Sequence, residues 1–596
     1  MKTAALVQQL RVAYQQTLEK EHVPDGVCHR FDEAPCGSLV EKTKRRHVVT
    51  LKLEQFQAIE VVRTTGQKKP ARVDSPLCDL VPKGNTYGYD LIAHVGCETF
   101  LRGRKLEDVA RDLPRSIPLS SLFDLQHKFL FYFGHVHRQA APEIADYFRQ
   151  RGGSTWLMDG TIEPDTPMFF GVSDAESRWL LDAWKIPTEN AAAITACLQE
   201  TTARFGRPDR MLHDLNDAMT TACEATWDDV PHGVCHFHLL RDIGEDLYAQ
   251  PQAGLSGRVR QIKLHPRLKE QRKGQTAWLR DHVEQPLVLA AALRGEISDI
   301  SPEEGTLERE VLLAFHQWIL DYACDGRRQG FPFDPYLLYF HRRVVRAAGA
   351  IGKLLSDPQV RQLAPRVIMN FEKLLRDYLS DQKVIDAARQ YEEAFEVFGK
   401  LRTVLRLVGG GAQPLRDRYL LEQAETEKVR QSLSSLREEF RQQAKDTDAE
   451  SFRPCAIVVE HLDRYWHHLF VPGGANRDRT TNGLEAHWGA GKRNCRVRHG
   501  REKLTLDFRS LPAEFMLVPN LEHPAYVELV LGDLENLSQK MALAGRTAGP
   551  WTHWRRLHHP LNTGRLPRRL LRQENLIENL ITVYDDPCQK ETVDVA

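Results

Sequence analysis

The sequence predicts a protein of class α+β / α/β, with a small β-rich module ahead of a core of strands and helices that a long all-helical stretch interrupts. Three observations lead there. Five short apolar runs lie between Gly153 and His236, the first three joined by polar links and the last two alternating with helical patterns. Beyond Leu239, more than two hundred residues carry apolar side chains at three-to-four spacing. Two further strand-like runs, 48–51 and 58–62, stand near the N-terminus.

Taken in order, residues 1 to about 20 read as a helix with Leu6, Leu10, Val12 and Leu18 on its apolar side. The strand-like runs follow, and 1–88 forms the N-terminal module. Its Cys28, Cys36 and Cys78, with Cys97 beyond, invite a Zn²⁺ reading. They contain no Cys-x-x-Cys pair, of which zinc ribbons usually supply two, so a degenerate module with ordinary thiols is the expectation. Segment 89–150 turns helical: 90–100, 104–113, a turn with Pro114 and Pro118, and a helix from Leu119 capped by Ser120 or Ser121. That order fits a helix-turn-helix DNA reader, and equally two packed helices without a DNA role.

The core opens in segment 151–245. Strands are predicted at 156–159, 168–172, 179–184, 210–213 and 232–236, with helices at 188–205 and 217–227. Strand, strand, strand, helix, strand, helix, strand is the RNase H-like order, in which the first and fourth strands are central neighbours. Segment 246–475 is the helical insertion, with helices over 287–293, 311–324, 339–355, 367–379, 384–407 and 417–445 and a break at Gly409. Segment 476–515 returns to the core, and 516–596 is a helical, Arg-rich tail.

Composition sets few limits. A chain of 596 residues exceeds one ordinary core, and 42% hydrophobic with 27% charged residues fits a water-soluble fold. Net charge is zero, yet charge is local: seven Arg and no Asp or Glu stand between Arg546 and Arg572, and further basic clusters lie at 42–46, Lys68-Lys69 and 492–503. Such patches neutralise phosphates or simply solvate a surface. Scattered Cys, an N-terminal apolar run broken early by Gln8, Gln9 and Arg11, and no stretch of membrane-span length predict a cytoplasmic protein without a membrane partner.

Three acidic residues stand out. Asp159 closes the run Ser154-Thr-Trp-Leu-Met158, Asp214 closes Arg210-Met-Leu-His213, and Glu485 lies in the first turn of a helix opened by Thr480-Thr-Asn-Gly483. Strand ends are where open sheets present ligands, and carboxylates gathered there hold divalent cations. For Glu485 alone, stabilisation of a helix N-terminus is the competing account. Cys235, within the fifth strand, and His238, directly after it, form a Cys-x-x-His motif with no matching Cys or His pair nearby.

Several motifs resemble the insertion-sequence transposases related to the Mutator group. They are Met211-Leu-His-Asp214 with the helix after it, Val234-Cys-His-Phe-His-Leu-Leu-Arg-Asp-Ile-Gly244, and Arg479-Thr-Thr-Asn-Gly-Leu-Glu485 followed by Lys492-Arg493 and Arg496-Val-Arg498. The resemblance spans about residues 80 to 510 and includes the helical insertion before the Glu. It implies a metal-binding triad of Asp159, Asp214 and Glu485 holding two Mg²⁺ or Mn²⁺ ions, with Asp159 bridging them. It implies phosphate contacts from Lys492, Arg493, Arg496 and Arg498, terminal-repeat and target DNA as partners, a homo-oligomer on DNA, and a nucleoid-associated prokaryotic setting. The activity implied is cleavage at transposon ends and strand transfer. A transposase-derived DNA-binding protein that no longer cuts, and a nuclease that only hydrolyses, stay open as alternatives.

Overall fold

The computed structural model describes residues 28–32, 37–65, 72–282, 306–407, 423–446, 452–471 and 478–558. The predicted helices at 1–20 and 287–293, Cys36, Lys68, Lys69, Gly409 and the Arg-rich tail past 558 lie outside them. The fold is mixed α and β, and the described residues fall into two compact units, 28–232 with 481–558 and 233–471 with 478–480.

The first unit opens with a small sheet of β1 (Cys28–Phe31), β2 (Ser38–Val49), β3 (Gln55–Thr65) and β4 (Arg72–Val73), in which β3 pairs with the other three. The basic run on β2 is solvated except at Arg46, which turns inward to pair with Glu60 at 3.3 Å. Four helices follow: α1 (Tyr89–Gly96), α2 (Leu106–Asp112), α3 (Leu119–Gln139) and α4 (Ala141–Gln150). Where the sequence allows either a helix-turn-helix reader or two packed helices, α3 is buried almost end to end, from Leu122 through Phe129 and Phe133 to His137. Its apolar residues occupy the whole circumference, which is the pattern of a core helix. Its start, with Leu119 and Phe123, and its last residue Gln139 face outward.

The larger sheet comprises β5 (Thr155–Thr161), β6 (Met168–Asp174), β7 (Leu180–Ile186), β8 (Arg210–His213) and β9 (His232–Val234), in the order β7-β6-β5-β8-β9. The first three form an antiparallel meander, and β8 pairs parallel with β5. α5 (Ala191–Phe205) makes the crossover. Asn190 caps its start by accepting from the Ala193 amide, and Gly206 ends it at φ 84°. α6 (Asp217–Thr226), capped by Asn216, links β8 to β9. All five strands stand where short apolar runs predict them. Several boundaries differ: β6 runs on to Asp174, β7 to Ile186, β9 stops at Val234 because a helix begins at His236, and β5 runs past Asp159 to Thr161 because β6 continues to pair with it there.

The second unit begins at Gly233 and is helical beyond β9. It holds α7 (His236–Ile262), α8 (Leu264–His282), α9 (Thr306–Leu320), α10 (Tyr336–Leu354), α11 (Pro358–Leu363), α12 (Arg366–Leu379), α13 (Gln382–Val404), α14 (Gln423–Asp446) and α15 (Pro454–Leu469). α7 packs along α13, where Tyr248 meets Tyr391 and Phe398 with ring centroids 5.1 and 5.6 Å apart. The first unit resumes with α16 (Asn482–His499), α17 (Thr505–Ser510), a 3₁₀ segment Ala513–Glu522, α18 (Pro524–Leu531), α19 (Leu537–Thr547) and α20 (Trp551–His558).

Six sequence-defined segments thus become two units. One contiguous core runs from Leu51 and Tyr89 through Phe129, Trp156 and Trp488 to Tyr526, Met541 and Trp554. Helices flanking the larger sheet in sequence share that core and cannot stand as separate domains. No helix among the described residues is long and apolar enough to cross a membrane.

Candidate acidic site

The parallel register of β5 on β8 aligns Thr155 with Arg210, Trp156 with Met211 and Leu157 with Leu212. Two residues further along each chain stand Asp159 and Asp214, at the level where β8 has ended. Adjacent strands lie about 4.8 Å apart, so this register brings the two acids to neighbouring positions on one end of the sheet. Asp159 is buried, and Asp214 begins the turn into α6, its Oδ1 accepting the Asn216 amide at 2.9 Å.

Glu485 arrives on α16. It lies one turn before Trp488, on the same helix face. The Trp488 indole N–H donates to Asp159 Oδ2 at 3.1 Å, tying this helix to the strand that carries Asp159. The sheet makes room for that ring. Gly171 of β6 is the register partner of Asp159, and a Cβ on it would sit 2.6 Å from the Trp488 ring. On the helix's other side His487 donates Nε2–H to the Met516 carbonyl. Burial pushes its imidazole down to about 4, so the ring stays neutral at pH 7.

The turn after β5 clamps the same helix. Lys492 donates to the Ile162 carbonyl at 3.3 Å and pairs with Glu163 at 3.1 Å. On α17, Arg509 donates two hydrogen bonds to the Asp165 carbonyl, at 2.9 and 2.7 Å. The acidic helix is therefore held at both the strand and its turn.

A fourth carboxylate joins that sequence reasoning missed. Glu189, immediately before the α5 cap, is pushed up to about 7, first by burial and then by the charge of Asp214, against a stabilising bond from Asn216. In the sequence it reads as an ordinary acidic residue near a helix start, and no local signal sets it apart. The donor set of Asp159, Asp214, Glu485 and Glu189 is all carboxylate oxygen, which suits hard divalent cations. The rise at Glu189 comes first from its burial and only second from the Asp214 charge beside it. Asp159, Asp214 and Glu485 do not converge on one point: among the described residues, the groups of ligand atoms all within 4.8 Å of each other consist of other side chains.

The basic residues of α16 divide. Arg493 and Arg496 are exposed, and Lys492 is half-buried in its pair with Glu163. Arg498, read from the sequence as a phosphate contact, is buried instead. Its guanidinium lies 4.7 Å from the Phe100 ring centroid and 5.8 Å from that of Phe515, and donates toward Cys495 Sγ. Helical spacing turns position 498 inward, so this arginine packs the core. Arg501 and Lys503, just past the helix, are exposed.

Cys235 and His238 belong to the second unit. Cys235 is buried at the start of α7, and His238 stands on the first helical turn. Between them, His236 donates Nε2–H to the Leu469 carbonyl at 2.7 Å, and its amide donates to the Arg479 carbonyl. Arg479 is buried and donates to the Leu405 carbonyl at 2.7 Å, so His236 and Arg479 pack within this unit. Of the N-terminal thiols, Cys28 is exposed while Cys78 and Cys97 are buried, Cys97 within the main core.

Compared with known protein families and with curated proteins, the chain matches none.

Proposed function

We propose that this protein is a DNA transposase that cleaves phosphodiesters at transposon ends and joins the freed 3′-hydroxyls to target DNA, with an RNase H-like core built on β5 to β9. The observation that carries the reading is the parallel pairing of β5 with β8, whose register sets two acids from distant parts of the chain at one sheet end. The bond from Trp488 to Asp159 adds the helix of Glu485 to the same place.

Asp159, Asp214 and Glu485 would hold the ions, with Glu189 beside Asp214. Two Mg²⁺ or Mn²⁺ ions, when bound, supply an activated water or 3′-hydroxyl and neutralise the leaving oxygen. Trp488 fixes one oxygen of Asp159 and covers the sheet at Gly171, which limits water on that side. Arg493 and Arg496, with Arg501 and Lys503 beyond, offer exposed cations for phosphates. The partners are the terminal repeats and target DNA. Holding two ends at once calls for a homo-oligomer on DNA.

The test uses the full chain, DNA carrying the inverted repeats that flank its gene, and Mg²⁺ or Mn²⁺. Asp159→Asn, Asp214→Asn and Glu485→Gln are each expected to abolish cleavage while sparing DNA binding and fold. Substantial cleavage by a folded variant removes that residue from the triad. Hydrolysis without joined products makes the protein a nuclease, and binding without metal-dependent nicking makes it a DNA-binding protein; either outcome overturns the proposal.

A further inference from the structure

A second group of metal-ligating side chains lies on the β8–α6–β9 segment. His213 ends β8, Cys223 lies on α6, and His232 begins β9. One ligating atom from each lies within 4.8 Å of the other two. His213 and Cys223 are fully buried and His232 half-buried. The strands hold this arrangement, since the Met211 amide donates to the Pro231 carbonyl and so sets the start of β9 against β8.

The tautomer is set as well. His213 Nδ1 lies 2.6 Å from the Asp214 carbonyl, which can only accept, so Nδ1 carries the proton. Its Nε2 then presents a lone pair. Metal-bound histidines are oriented in this way, by a backbone carbonyl on the other ring nitrogen. His213 Nε2 faces His232 Nδ1 at 3.1 Å. Two nitrogens about 2.05 Å from one ion at the tetrahedral angle stand about 3.3 Å apart, so the pair already has the spacing of two ligands, and binding asks the rings to turn until both lone pairs meet on the ion rather than on each other.

We propose that His213, Cys223 and His232 form a structural site for a borderline-soft transition metal of the Zn²⁺ type, pinning β8, α6 and β9 together behind the turn that carries Asp214. Two imidazoles and a thiolate select such an ion over Mg²⁺ or Ca²⁺. On binding, Cys223 gives up its thiol proton to solvent, and His232 carries its remaining proton on Nε2. A fourth ligand comes from water or from Glu224, which is exposed and has a carboxylate oxygen within 4.8 Å of a His232 ring nitrogen. The site requires neither DNA nor cleavage, and stands or falls apart from the proposed activity.

The experiment loads the full-length chain with Co²⁺ as a spectroscopic stand-in and competes it with Zn²⁺. Wild type is expected to bind a tetrahedral Co²⁺ with a thiolate charge-transfer band, Zn²⁺ to displace it, and Cys223→Ser to lose the band and one bound ion per chain. His232→Gln, at a half-buried position, is expected to keep the fold and weaken Co²⁺ binding by about tenfold or more. That variant decides the matter if Cys223→Ser does not fold. No thiolate band in wild type, a band unchanged in folded Cys223→Ser, or wild-type affinity in His232→Gln overturns the proposal and leaves a hydrogen-bonded histidine pair beside a buried thiol.

Discussion

At the scale of single residues, the contact between Trp488 and Asp159 is the hinge of the acidic site. An indole N–H donated to a carboxylate is worth about 1.5–3 kcal/mol when its partner stays buried. Trp488→Phe keeps most of the ring and removes the donor. It is expected to cost about 1.5 kcal/mol in stability and, by loosening Asp159, about tenfold in metal-dependent cleavage. Denaturant midpoints and single-turnover rates check the two parts. Gly171 tests the same contact from the sheet side. Its missing Cβ leaves the 2.6 Å approach that the Trp488 ring occupies, and the ring cannot retreat without breaking its bond to Asp159. Gly171→Ala is expected to destabilise by about 1–3 kcal/mol through overpacking. A variant as stable as wild type would mean that the ring does not lie on the strand. Glu189 shows what sequence cannot offer at this scale. Its proximity to Asp214 arises from a crossover, and neighbours along the chain give no hint of it.

At the scale of elements, α16 carries two kinds of basic residue that look alike in sequence. Arg493 and Arg496 face solvent, whereas Arg498 lies against Phe100 and Phe515. Replacing Arg493 and Arg496 by Ala is expected to weaken DNA binding and lower the salt-dependence slope by about 0.9 for each lost phosphate contact, with little change in stability. Arg498→Ala is expected to do the reverse, losing about 2 kcal/mol of stability through vanished packing. Binding measured across salt concentrations, beside thermal unfolding, separates them. The strands and helices of the larger sheet are legible in sequence because the strands are short apolar runs and helical patterns lie between the later ones. The role of α3 is not. An amphipathic start followed by a nearly all-apolar body suits either a surface reader or a core helix, and only the neighbours that cover it decide.

At the scale of the whole molecule, pH reaches the core through its histidines. His137 is fully buried between α3, β7 and α18, with 2.7 Å bonds to the Tyr526 hydroxyl and the Leu181 carbonyl. Burial pushes it down to about 4 from an ordinary 6.5. Between those values the unfolded chain binds the extra proton and the folded chain does not. The neutral ring's contribution is therefore complete above about 6.5 and is lost as pH falls toward 4. Asp182 and Glu189, pushed up to about 6 and about 7, titrate in the opposite sense over much of the same range, so the total profile does not isolate the histidine. The difference between wild type and His137→Gln does. The advantage of wild type is expected to shrink by on the order of 3 kcal/mol between pH 7.5 and pH 4. Urea midpoints at several pH values measure it, and a pH-independent difference would show that His137 is not held neutral by burial.

The sequence by itself determined the mixed α and β character, the five strands of the larger sheet and the helical stretch after them. Period, caps and turn residues are local, and each is written within a dozen positions. It also marked Asp159, Asp214 and Glu485 as candidates, since two of them follow apolar runs and the third opens a helix. Tertiary structure alone decided that Asp159 and Asp214 share a sheet end, that Trp488 joins the Glu485 helix to them, that Glu189 stands beside Asp214, and that Arg498 is core. It also merged segments that look independent in sequence, because a hydrophobic core forms between elements far apart along the chain. Register, burial and charge proximity are properties of such packed pairs, and a one-dimensional pattern specifies the members of a pair without specifying the pairing.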